Sequence, residues 1–178
     1  MKALRPLIRF ILAESRSIHY SKLVKDDISY LFQSDGTIHA VSLYADDGWD
    51  LLGKMDAHVY SMKRISQVPS TYESILALGG NENSVVIGVY DARIPDTKNR
   101  GKGFGRVMYE ALLHEAFLAH GEFFFAPMSA TGAGTTTTDA RRVWSSLSRE
   151  FPIQGDVIHI DRLPPVMGVM PTKKNASI

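Results

Sequence analysis

Val85-Val86-Ile87-Gly88-Val89-Tyr90-Asp91-Ala92-Arg93-Ile94-Pro95-Asp96-Thr97-Lys98-Asn99-Arg100-Gly101-Lys102-Gly103-Phe104-Gly105 sets the architecture of this chain. Val85 to Tyr90 is apolar without alternation, which predicts a central strand covered on both faces. Pro95 to Lys102 reads as a polar turn. Behind it Phe104, Val107, Met108, Ala111 and Leu112 share one face of a helix that Gly121 ends. A buried strand, a glycine-rich turn and a helix in that order make an anion site. The first N–H groups of a helix lack intrahelical partners, and the helix dipole adds about half a positive charge there. Glycines let an anion approach those amides, and Lys98, Arg100 and Lys102 concentrate positive charge beside them. A pyrophosphate suits such a site.

Downstream, Glu122-Phe123-Phe124-Phe125 reads as the next strand and Ser129 to Thr138 as a small-residue loop. Asp139 is expected to cap a last helix with Ala140, Val143, Trp144 and Leu147 on one face, and Val157 to Ile160 to add a final strand. Upstream, Ile28–Phe32 and Thr37–Tyr44 flank Ser34-Asp35-Gly36, a hairpin signal because Asp-Gly takes the positive φ of a tight turn. A third strand is expected within Trp49–Tyr60. Ser70-Thr71-Tyr72-Glu73 has the form of a capping box, opening a short helix that Gly79-Gly80 stops. Leu4, Leu7, Ile8, Ile11 and Leu12 follow one helical face, with Arg5, Arg9 and Arg16 off it. Arg9 breaks the apolar run, so this is read as a packed amphipathic helix and not as a secretory signal. The element order predicts an α/β (α+β) domain: a mixed sheet with helices on both faces. Residues 1–170 are expected to form it, with residues 171–178 as a loose tail.

Composition narrows the function classes. The chain has 178 residues, 44% hydrophobic and 22% charged, in the ordinary globular range. Its net charge of +1 gives no overall pull toward nucleic acid. It has no cysteine, which excludes disulfides, thiolate metal sites and a cysteine nucleophile and suits a reducing, cytoplasmic setting. No segment has the length of a membrane span, and no membrane partner is expected. His19, His39, His114, His120 and His159 lack ligand spacing, so no metal is expected.

Two familiar phosphate loops are ruled out. No G-K-[ST] follows at Walker spacing, and Gly101, Gly103 and Gly105 alternate where a dinucleotide fingerprint needs G-x-G-x-x-G. Arg100-Gly101-Lys102-Gly103-Phe104-Gly105 instead resembles the R-x-x-G-x-G motif of the GNAT acyltransferase superfamily, which lies between a strand and a helix as here. The resemblance covers roughly Ser84 to Phe151. It implies a GNAT-like, mostly antiparallel sheet and an acyl-coenzyme A-dependent N-acyltransferase, with acetyl-CoA as co-substrate and an amine as acceptor. The amides of Gly101, Lys102, Gly103, Phe104 and Gly105, with Arg100, would grip the coenzyme A pyrophosphate, and the pantetheine arm would follow the strand from Val89 to Ile94. A side chain at Gly103 would clash with that pyrophosphate.

The resemblance further implies direct transfer in a ternary complex. A backbone amide of the Val89–Ile94 strand would hold the acyl oxygen, a donor worth about 3 kcal/mol of transition-state stabilisation. The family's last helix often carries a tyrosine that protonates the departing thiolate. Trp144 stands at that position here, and an indole cannot supply a proton; it also fits a core aromatic on the helical stripe. Asp91 is the leading candidate for general base, with Asp56 and His58 on one face of a preceding strand as others. Ser129 and Thr135 to Thr138 offer hydroxyls nearby.

Two other readings stay open. A GNAT-like fold that binds coenzyme A poorly or not at all could serve as an interaction or inhibitor module. Arg5, Arg9, Arg16, Lys22 and Lys25, with Arg141, Arg142 and Arg149, could instead form a nucleic-acid face, as in phage GNAT-like proteins that modify DNA bases; solvated helix faces are the commoner explanation of such charges. Self-association as a homodimer is compatible with each reading.

Overall fold

A computed structural model of the chain describes residues 17–22, 28–45, 50–132 and 134–165. The N-terminal helix expected through Leu4–Leu12, the charges at Arg5, Arg9, Arg16 and Lys25, and the 171–178 tail lie outside the described residues.

Eight strands form one sheet: β1 (Ser17–Lys22), β2 (Ile28–Ser34), β3 (Ile38–Ala45), β4 (Leu51–Tyr60), β5 (Val86–Arg93), β6 (Phe123–Ala126), β7 (Ile153–Gln154) and β8 (Val157–Ile160). Their spatial order is β1-β2-β3-β4-β5-β6-β8-β7. Every neighbouring pair is antiparallel except β5 and β6, which run parallel. The four helices among the described residues are α1 (Met62–Ile65), α2 (Pro69–Ala77), α3 (Phe104–His120) and α4 (Thr138–Leu147). The expected mixed, mostly antiparallel sheet with helices on both faces is what forms.

The sheet carries a core on each side because side chains alternate across a strand. Ile87, Val89, Phe123 and Phe125 join Tyr30, Phe32, Val41, Leu43, Met55 and Ala57 beneath Met108, Leu112, Trp144 and Leu147 of α3 and α4. Val86, Phe124, Ala126 and Val157 point the other way, onto Met62, Ile65 and Ile75 of α1 and α2. Each fully buried large side chain contributes about 1.5–3 kcal/mol relative to exposure. Val86 to Val89 is thus buried on both faces, as its unbroken apolar run requires.

Two local expectations are corrected, and three short elements are added. The capping box at Ser70 does not form. Pro69 occupies the first turn and starts α2 two residues earlier, with Val68 at the cap position and no side-chain cap, while the Ser70 carbonyl accepts from Ser74 Oγ at 2.8 Å. Thr137, not Asp139, caps α4, its hydroxyl accepting from the Ala140 amide at 3.3 Å; Asp139 lies in the first turn, where its charge still suits the dipole. Strand β1, the two-residue β7 and the one-turn α1 are additions: each is short and held by its neighbours, without a pattern of its own.

Candidate functional site

The site begins where the sheet divides. β5 and β6 are paired at only three positions, Val86–Phe124, Ile87–Phe125 and Gly88–Ala126. Past Ala126 the chain leaves the sheet through Pro127 into a 3-10 turn, Met128–Thr131, while β5 continues to Arg93 along β4. From Val89 onward, therefore, one edge of β5 faces no strand among the described residues. Backbone groups on such an edge are open to an extended ligand. Gly88 marks the fork. A Cβ there would stand 2.5 Å from Thr131 Cγ2 and 2.8 Å from Tyr60 Cε2, so this close packing requires glycine. One residue beyond, β5 is bulged. Asp56 pairs with Asp91 and Ala57 with Val89, which leaves Tyr90 as the extra residue.

The glycine turn follows. Asp96 caps a 3-10 turn at Thr97–Asn99 by accepting from the Lys98 amide, and backbone hydrogen bonds and the Lys98 ion pair hold its carboxyl below the usual range. Gly101 and Gly103 have φ of +76° and +86°, a conformation L side chains rarely adopt. A Cβ on either would meet open space within the chain, so the backbone φ and not packing inside the protein requires these two glycines. Gly105 differs. It sits in the first turn of α3 at ordinary helical φ, and its nearest neighbour for a Cβ would be Val143 Cγ2 at 3.9 Å. Nothing in the fold forbids a side chain there. Residues 101–103 are exposed, and no side chain caps α3. Among the described residues the amides of Gly101 to Arg106 have no acceptor, as an anion cradle requires.

The cations divide. Arg100 is exposed with no ion pair among the described residues, Lys98 pairs with Asp96 at 3.0 Å, and Lys102 reaches Asn99 Oδ1 at 3.3 Å. Arg106 turns away and ties α3 to α4 through Glu110, Ser146 and Glu150 at 2.5, 2.7 and 2.6 Å. Phe104 and Ile94 are half-buried against the core and anchor the two ends of the turn.

On the sheet face away from α3, Asp91 is bound to Arg93 at 2.6 Å and Asp56 to Lys54 at 3.0 Å, and the two carboxylates are cross-strand partners. His58 is on the same face, opposite Gly88, its ring 4.9 Å from Tyr90 and 6.1 Å from Tyr60. The strand pattern brings the three base candidates together. Tyr60 and Tyr90 were not legible as site residues, because only the bulge and the fork assign them there. Ser129 is exposed in the 3-10 turn and bonded to Thr136 Oγ1 at 2.9 Å.

Trp144 is a core aromatic. It stacks on Phe125 at 4.7 Å and 26°, and its indole N–H is buried without an acceptor. Tyr109 packs edge-on against it, and burial pushes that phenol up to about 12. One contact escaped sequence spacing: His39 and His120, 81 residues apart, approach through Nε2 atoms at 2.8 Å. Among the described residues no group of three or more metal-ligating side chains occurs, and no helix is long and apolar enough to cross a membrane. No family model matches the chain, and no curated protein matches it by sequence.

Proposed function

We propose that the chain is an acyl-coenzyme A-dependent N-acyltransferase, with acetyl-CoA the simplest donor. The observation that carries the reading is the row of unpartnered amides from Gly101 to Arg106, next to the unpaired edge of β5. A pyrophosphate meets the first, with Arg100 and Lys102 beside it. The pantetheine arm, an extended chain with two amides, matches the second and would bring the thioester toward the fork at Gly88. There an amide freed by the Tyr90 bulge would hold the acyl oxygen as charge develops on it. The acceptor amine would enter from the face that carries Asp56, His58 and Asp91.

Gly105 supplies the test. Isothermal titration with acetyl-CoA is expected to give micromolar affinity, and Gly105→Ala to weaken it at least tenfold without loss of fold, because the added methyl meets no protein atom closer than Val143 Cγ2 at 3.9 Å and would crowd a pyrophosphate on these amides. Equal affinity in the two proteins, or silence at millimolar ligand, would end the reading.

A second reading, coenzyme binding without transfer, is favoured by Trp144, which is locked in the core and supplies no acid. Micromolar binding without thiol release over a broad amine panel would select it. The nucleic-acid reading keeps only the exposed Arg141, Arg142 and Arg149 among described side chains, and Arg142 is already paired with Asp139.

A further inference from the structure

His58 is the one histidine at the fork among the described residues, where it stands with Tyr60 and Tyr90. Its register partner is Gly88, and Gly88 is the last residue of β5 paired with β6. The imidazole thus stands across one strand from the point where the sheet opens. It is half-buried, and neither ring nitrogen has a hydrogen-bond partner among the described residues. Tyr60 and Tyr90 hold the ring on two sides. Asp56 lies two residues away on the same face with Asp91 opposite it, and β3 presents Ile38. Both carboxylates already hold a cation, Lys54 and Arg93. Of the groups at the fork without a hydrogen-bond partner among the described residues, Tyr60, Tyr90 and His58, the imidazole is the one with a ring nitrogen that can take a proton.

We propose that His58 is the general base that deprotonates the acceptor amine, an inference that rests on the acyltransferase reading above. The acceptor ammonium gives one proton to a His58 ring nitrogen. The electron pair freed on nitrogen forms the C–N bond, and the C–S bond breaks with its pair on sulfur. The second proton on that nitrogen goes to the thiolate, and the imidazolium returns its proton to water. No acid from α4 is needed, in keeping with the buried indole of Trp144.

Two-dimensional NMR of the histidine rings and glycine amides, with acetyl-CoA as the probe, tests the placement. Acetyl-CoA is expected to move the amides of Gly101, Gly103 and Gly105 together with the His58 ring, and coenzyme A without the acetyl group to move His58 less. The His39 and His114 rings serve as internal controls; His114 is fixed through Nδ1 to the Pro164 carbonyl at 2.8 Å. Glycine shifts with an unmoved His58 would overturn this proposal and leave the acyltransferase reading intact; no shift anywhere would remove both. The role is read from thiol release with a panel of primary amines as acceptors. His58→Gln should lower the rate about 100-fold while acetyl-CoA affinity stays within twofold, and a rate equal to wild type would overturn it.

Discussion

Asp56 on β4 and Asp91 on β5 stand directly opposite one another, and the next pair along the same face, Lys54 and Arg93, is also like opposite like. Charges of one sign across a ladder repel. The chain relieves the repulsion along each strand, through Lys54–Asp56 at 3.0 Å and Arg93–Asp91 at 2.6 Å. Exposed pairs of this kind are each worth about 0–1 kcal/mol. Asp91→Asn should therefore change stability by less than about 1 kcal/mol, since it removes one attraction and one repulsion together. Urea denaturation of the two proteins checks this; a larger loss would mean that Asp91 is structural.

Gly103 and Gly105 should separate by backbone demand. Gly103→Ala forces a Cβ onto a φ of +86° and should cost about 1–2 kcal/mol. Gly105→Ala meets helical φ and free space, and should stabilise by about 0.5–1 kcal/mol. Opposite signs in chemical denaturation are the expected result. Destabilisation by Gly105→Ala would show a structural need for that glycine and detach it from ligand binding.

Trp144 has two parts with different worth. Trp144→Phe keeps an aromatic ring on Phe125 and removes a buried N–H that has no acceptor, so it should cost less than about 1.5 kcal/mol. Trp144→Ala empties the site between Phe125 and Tyr109 and should cost about 3–5 kcal/mol. Thermal and urea midpoints distinguish them. Similar losses in both would mean that the indole nitrogen has a partner.

Acid should loosen the far end of α3. Burial first, and then the nearby His120, push His39 down to about 4, against a partial upward pull from Asp35; burial also lowers His120. The unfolded chain takes up these protons first, so the stability is complete above pH 6.5 and is lost as pH falls toward about 4. The loss from His39 should be on the order of 3 kcal/mol over that window. Urea midpoints recorded from pH 7.5 to pH 4 should fall less steeply in His39→Gln than in the wild type. Parallel curves would place the acid sensitivity elsewhere.

Much of the architecture follows from local patterns that need no partner to be read. Val86 to Val89 is continuously apolar because both faces are covered, Gly36 turns the β2–β3 hairpin at a φ of +85°, and the apolar stripe of Met108, Ala111 and Leu112 defines α3. Cap positions were less legible, because Pro69 and Thr137 competed with equally good capping residues a position or two away.

The sequence alone determined the strand, glycine turn and helix order, and with it the unpartnered amides at the head of α3, since chain connectivity and backbone φ are local properties. Only the tertiary structure decided the fork at Gly88, the bulge at Tyr90, the pairing of Asp91 with Asp56 beside His58, the missing acceptor of the buried Trp144 indole and the contact of His39 with His120. These depend on register and on packing between segments far apart in the chain. A one-residue slip in β4 would turn Asp56 and His58 to the opposite face, and no local pattern records which register the core selects.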